Sequence, residues 1–378
     1  MKATTWGEIS TLRYGKALTG YQSNASGAVQ VFGTNGPIGF TDVAQGPGPA
    51  VIVGRKGAYR GVHYSTGPFW AIDTAYYVEH GDELDSRWCY YALKNTDINA
   101  LGSGSAIPST SREDFAAVPV RVPSLEDQRS IADLLAALDD KIAANSTLIA
   151  VTGDALEATF TWICGQSDET VPFTELATIT KGVSYRSADL RPSSTALVTL
   201  KSFDRNGGYS LRGLKDYSGA HKPTQVIAPG ELVVALTDLT QAAEVVGRAV
   251  RVPRAPRYQT LVASLDLAII RPQTDVPVEF VLGVMLQGRF RAHCRSRTSG
   301  TTVLHLASDA MPTFQAPAVS PETQEYFAAS ARPLLELRDS LEYEIETLAA
   351  TRDVLLPGLM SGKLRVKDAE KVLDVVGV

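Results

Sequence analysis

At 378 residues the chain is too long for one ordinary hydrophobic core and suits two or three. Apolar residues make up 44% and charged residues 20%, and no apolar run approaches the roughly 18 residues of a membrane-spanning helix, so a soluble protein is expected. The opening Met1-Lys2-Ala3-Thr4-Thr5-Trp6 lacks the basic-then-apolar order of a secretory signal, which makes the cytoplasm the expected location.

The predicted elements fall into two similar halves. The opening Trp6-Gly7-Glu8-Ile9-Ser10-Thr11-Leu12-Arg13-Tyr14-Gly15 aligns with Phe173-Thr174-Glu175-Leu176-Ala177-Thr178-Ile179-Thr180-Lys181-Gly182, sharing Glu, Thr, Gly and the apolar positions. After the first opening, Val29–Phe32 and Ala50–Val53 are short apolar runs between Gly, Pro and Asn, hence strands, and Ser86–Lys94 reads as a helix.

A long helix is predicted next. Ser124 is a good N-cap with Asp127 three residues on, and Ile131, Leu135, Leu138, Ile142, Asn145, Ile149, Thr152, Leu156, Thr159 and Ile163 alternate steps of four and three, the seam of a coiled coil. In the second half, Ala196–Leu200, Glu231–Ala235 and Leu265–Ile270 read as strands and Val278–Arg289 as a helix. Ser320-Pro321-Glu322-Thr323-Gln324 then repeats the pattern of Ser124-Leu125-Glu126-Asp127-Gln128, and Phe327, Leu334, Leu341, Leu348 and Leu355 follow at seven-residue spacing. Pro333 predicts a kink or break in that second helix and Leu356-Pro357-Gly358 its end, with a turn and strand over Ser361–Val366. The expected fold class is α+β, with two strand-rich domains (1–123 and 166–319) separated by two antiparallel coiled-coil helices (124–165 and 320–356), and a tail (357–378) packing near the helix ends.

The net charge of −5 is unevenly spread. The two helical segments hold most of the excess acid, while residues 1–122 are neutral and residues 166–318 carry 17 basic against 13 acidic side chains, which leaves basic faces on both domains open. Signals for catalysis are missing. Gly358-Leu359-Met360-Ser361-Gly362-Lys363 has the wrong spacing for a phosphate loop, and no Pro-Pro dipeptide exists for an adenine-methyltransferase motif. The five histidines and the three isolated cysteines show no metal-ligand spacing, and Asp139-Asp140-Lys141, a nuclease-like triplet, reads as a solvated helix face.

Several segments resemble a known family. Val31-Phe32-Gly33-Thr34-Asn35-Gly36-Pro37-Ile38, Pro68-Phe69-Trp70-Ala71-Ile72-Asp73, the helix opening Pro123-Ser124-Leu125-Glu126-Asp127-Gln128, the run Phe203-Asp204-Arg205-Asn206-Gly207-Gly208-Tyr209 and the ending Leu359-Met360-Ser361-Gly362-Lys363-Leu364 are similar to the specificity subunits of type I restriction-modification systems. The resemblance implies two target-recognition domains, each reading one half of a split double-stranded DNA site, with the helices setting their distance and docking two methyltransferase subunits. It implies no cofactor in this chain: S-adenosylmethionine belongs to the methyltransferase subunits, and ATP and Mg²⁺ to a restriction motor-nuclease subunit. No membrane partner is expected. The alternatives are a coiled-coil adaptor without DNA contact and, less favoured by the missing motifs, a DNA-modifying enzyme in its own right.

Base edges are read mainly by Arg, Lys, Asn and Gln, and phosphates are held by cations, hydroxyls and amides. On that chemistry the DNA-binding candidates are Asn35, Arg55, Lys56, Tyr59, Arg60 and His63 in the first domain. In the second they are Lys181, Tyr185, Arg186, Lys201, Arg205, Asn206, Lys222, Gln241, Arg295 and Arg297. No catalytic or metal-binding residue is expected.

Overall fold

The structure is a computed structural model that describes residues 1–21, 27–57, 59–102, 108–165, 167–203, 208–238 and 243–376, with side chains up to 373 at the C-terminal end. It divides into two compact parts, Met1–Lys141 with Leu348–Val378, and Ile142–Thr347.

In the first part, Lys2–Thr5 pairs antiparallel with Pro119–Val122, which closes the domain just before the long helix begins. Trp6 then turns inward and is fully buried, its ring 6.3 Å from that of Trp88 and 6.0 Å from that of Phe115. An antiparallel sheet runs in the order Ser10–Tyr14, Ala75–His80, Ala50–Gly54, Val62–Ser65. Ala50–Gly54 is buried along its whole length, as its uninterrupted apolar sequence requires. A smaller sheet holds Gly36–Thr41, Val29–Gly33 and Phe69–Ala71, the last two parallel. Phe32, Ile52, Phe69 and Ala71 join the two sheets in one core.

The second part repeats this plan. Thr170–Pro172 pairs with Gln315–Pro317, and a four-stranded antiparallel sheet runs Ala177–Lys181, Leu267–Pro272, Leu232–Ala235, Ala249–Arg251. A second sheet contains the parallel pair Thr195–Val198 and Thr260–Ala263, flanked by Lys215–Asp216 and Val226–Ile227. The equivalence extends to single residues. Gly15 and Gly182 each leave the first sheet strand where a Cβ would lie 2.0 and 2.1 Å from the carbonyl oxygens of Ile72 and Ser264.

Both long helices also start on the same device. The Gln128 side chain donates to the carbonyl of Pro123 at 3.1 Å, and that of Gln324 to the carbonyl of Val319 at 3.3 Å. Ser124 and Ser320 cap the amides three residues on at 3.2 and 3.3 Å. These helices span Leu125–Cys164 and Pro321–Ser361. Within the second part they are antiparallel: Asn145 donates to the Glu344 carboxylate at 2.7 Å, and the Phe160 and Phe327 rings lie 5.1 Å apart. An Asn in an apolar seam weakens packing and favours the register in which its amide is satisfied.

The observed elements depart from expectation at five places. Pro333 does not interrupt its helix: Pro333 is exposed, and so is Ala329, whose carbonyl the missing N–H leaves unpaired and open to solvent. Pro357 is exposed likewise, and the helix ends only at Ser361, where Gly362 takes φ +72°. Beyond it the chain forms a helix, Val366–Val376, in place of the expected strand. Towards its end the first helix buries Phe160 and Cys164 instead of Thr159 and Ile163, since it there packs into the aromatic core around Phe280 and Phe327. Finally, Val278–Arg289 is two helices, Val278–Leu286 and Gly288–Ser296. The break is at Gln287, whose side chain bonds Thr161 at 3.0 Å, while the Glu157 carboxylate accepts the amide of Gly288 at 3.1 Å.

Candidate nucleic-acid interface

The loop after Ala50–Gly54 carries most of the first-domain candidates. It is pinned on both sides: Thr110 donates its amide to the Arg55 carbonyl at 2.9 Å, Gly57 to that of Pro108 at 3.0 Å, and Gly61 to that of Thr34 at 3.0 Å. The last bond places the exposed Asn35 turn beside the loop, so Asn35, exposed Lys56 and Tyr59 (81% exposed) form one group of solvent-facing side chains.

Arg60 does not belong to it. Its side chain is 4% exposed and donates to the carbonyls of Leu101 and Asn99, each at 2.8 Å, and to the Thr110 hydroxyl at 3.1 Å. These three bonds make the buried Arg60 a brace between residues 99–101 and Thr110, which corrects its assignment as a DNA contact. Each buried acceptor left unpaired costs about 1–3 kcal/mol. Arg60→Ala is therefore expected to lower stability by roughly 3 kcal/mol or more in thermal or denaturant melts. A variant melting like the wild type would return Arg60 to the candidate surface.

His63 is also set inward. Its Nε2 is buried without a hydrogen-bond partner, and burial, ahead of the neighbouring Lys94 charge, lowers its pKa despite a bond with the Thr34 backbone. Burial disfavours the charged ring, and its place between Gly36 and Gly61 is one of packing.

Arg55 is held in a cluster that sequence reasoning did not find. Its guanidinium donates to the Asp73 carbonyl at 2.7 Å and stands 4.9 Å from the ring centroid of Tyr14 and 5.8 Å from that of Tyr76. Arg112 stands 5.5 Å from the same Tyr14 centroid. The two tyrosine rings are 5.0 Å apart, and burial first, then the Tyr14 hydroxyl, push the Tyr76 pKa up to about 12.

In the second domain Lys181, Arg186, Lys201, Lys222 and Arg295 are exposed, and Tyr185 is half-buried against Tyr217 and Val262. Ser218 donates its amide to the Asp189 carbonyl at 2.9 Å, which brings the Arg186 turn to the segment leading to Lys222. Arg295 donates to the Ala243 carbonyl at 2.9 Å, and Arg297 is neutralised by Asp309 at 3.3 Å. Next to Arg295, Arg291 has its pKa lowered by burial first and then by the charges of Arg248 and Arg295, a concentration of positive charge also missed in the sequence. Arg205, Asn206 and Gln241 lie outside the described residues.

Asp140 and Lys141 are exposed, as a solvated helix face requires, while Asp139 is turned partly inward and acts as a strut. Tyr91 donates its hydroxyl to Asp139 at 2.8 Å, Arg352 pairs with the same carboxylate, and Arg87 pairs with Asp140 at 2.8 Å. Among the described residues no three His, Cys, Asp or Glu side chains converge as metal ligands, and no helix is long and apolar enough to cross a membrane.

Comparison with known proteins agrees with this architecture. Residues 1–151 match the family described as the type I restriction modification DNA specificity domain. Over 143 residues the chain is 29% identical to the type I restriction enzyme EcoprrI specificity subunit of Escherichia coli, a match spanning 36% of this chain and 36% of that relative's length. The crystal structure of the type I restriction-modification system S subunit from M. genitalium is similar over 95% of this chain and 96% of that one, at 18% identity and a TM-score of 0.58. Residues 1–151 thus belong to the type I restriction modification DNA specificity domain family, and the chain as a whole has the fold of a type I S subunit.

Proposed function

We propose that this chain is the non-catalytic specificity subunit of a type I restriction-modification complex, in which each strand-rich domain reads one half of a bipartite double-stranded DNA target. The observation that carries the reading is the duplication: one strand order, built twice, each time closed by a strand pair directly before a long capped helix. Two equivalent domains offer two equivalent readers, and a helix pair converts residue count into distance.

In this reading the helices also dock two methyltransferase subunits, which bring S-adenosylmethionine, and a motor-nuclease subunit brings ATP and Mg²⁺. The exposed set Asn35, Lys56, Tyr59, Lys181, Arg186, Lys201, Lys222 and Arg295 supplies the residue types that DNA contacts use.

Methylome sequencing of a host that expresses the chain with its methyltransferase subunits tests this directly. The expected result is a new methylated adenine in a two-part sequence with a fixed nonspecific gap. An unchanged methylome from an assembled complex, with no sequence protected in a footprint, would leave a coiled-coil adaptor as the better account.

A further inference from the structure

Tyr14 is the last residue of the strand Ser10–Tyr14, paired with Tyr76, and its ring is 47% exposed. Arg55 and Arg112 both stand beside this ring, their guanidinium carbons 4.9 and 5.5 Å from its centroid, and neither has a carboxylate within ion-pair distance among the described residues. Their neighbour Arg13 differs in being neutralised by Glu79 at 2.7 Å. Two cations without a carboxylate partner beside one aromatic ring repel each other, and an anion bound to them lowers that cost.

The geometry also selects the anion. A guanidinium carries five N–H donors in a fork that matches the paired oxygens of a phosphodiester, and the Asp73 carbonyl engages only Nη1 of Arg55. Arg55 is further tied to the Asp73 carbonyl, close to its own sheet, which suits a fixed backbone contact better than a side chain reaching into a groove. The duplicate half agrees. Lys181 occupies the place of Tyr14, ending the equivalent strand before Gly182, and it too presents an exposed cation at that strand end.

We propose that Tyr14, Arg55 and Arg112 form a clamp for a DNA phosphodiester that seats the first domain on its half-site without reading a base. The clamp rests on the DNA-binding function proposed above.

The test measures binding of the full chain, assembled with its methyltransferase subunits, to a random-sequence duplex and to a duplex bearing the methylated sequence, over a range of salt. Arg55→Gln and Arg112→Gln should each weaken both duplexes by a similar factor, about tenfold, and reduce the slope of log K against log salt by about one. The methylated sequence should stay the same. A relaxed base position with an unaltered slope would make these arginines base readers and overturn the clamp, as would a folded variant with unchanged affinity and slope. Should a variant fail to fold, wild-type complex on duplexes carrying neutral methylphosphonate linkages decides the matter. Some linkage in the first half-site should lower the slope, and if none does the clamp is wrong. A wild-type complex that binds no duplex would sink the DNA-binding function itself, and the clamp with it.

Discussion

Exchanging residues 1–123 for the corresponding segment of a related specificity subunit is expected to replace one half of the methylated sequence and leave the other half unaltered. The domain is self-contained in its main chain, since its first and last strands pair with each other from Lys2 to Val122. Its polar ties to the first long helix involve named side chains. Gln128 accepts the amide of Asp85 at 2.9 Å, Asp139 accepts from Tyr91 at 2.8 Å, and Asp140 pairs with Arg87 at 2.8 Å. The Arg87–Asp140 pair is largely exposed and is worth at most about 1 kcal/mol, so its loss in a chimera is tolerable. Gln128 is buried, and a donor domain that fails to offer an amide there leaves a polar group unpaired, which costs about 1–3 kcal/mol. Donors retaining a Trp-containing helix with a capping Asp are therefore the ones expected to give active chimeras. Sequencing the methylated sites decides the outcome: a change in both halves, or in neither, would refute the independence of the domains.

The parts of this architecture that were legible in the sequence are those with a local cause. Capping residues and a steady apolar period placed both long helices, and the duplicated openings each lead into the same strand order. The misreadings arose where distant residues decide. Whether a proline breaks a helix depends on which side of it water lies, and Pro333 and Pro357 are both exposed. The seam beyond Leu156 shifts to Phe160 because Phe280 of the domain core packs there beside Phe327 of the partner helix. At the interface, residue type alone grouped Arg60 with Arg55 and Lys56, although three acceptors from two other segments draw it inside. Conversely, Tyr14 and Arg112 gave no sign of belonging with Arg55, since only the fold joins them. One clue was present: the alignment of the two halves sets Tyr14 against Lys181 before a shared glycine, and Lys181 was itself a candidate.

Lengthening both helices is expected to move the two half-sites apart. The two compact parts are joined through the chain at only two points, between Lys141 and Ile142 and between Thr347 and Leu348, and both points lie inside the long helices. Four helix-forming residues inserted at each point would add about 6 Å at 1.5 Å per residue, which is close to two base pairs at about 3.4 Å each. Inserting in both helices of the pair keeps Asn145 opposite Glu344 and leaves the packing of each part intact. An insertion in the first helix alone would force one side to slip against that bond. Four residues also turn everything beyond them by about 40°, and the seam accommodates the remainder as a stutter. The methylated half-sequences should then be the same as in the wild type, with a nonspecific gap longer by one or two base pairs. Because the alteration lies outside both domains, the wild-type target should lose its methylation while the lengthened one gains it. Methylation retained on the original spacing by an assembled, active variant would mean that a feature other than these helices sets the distance.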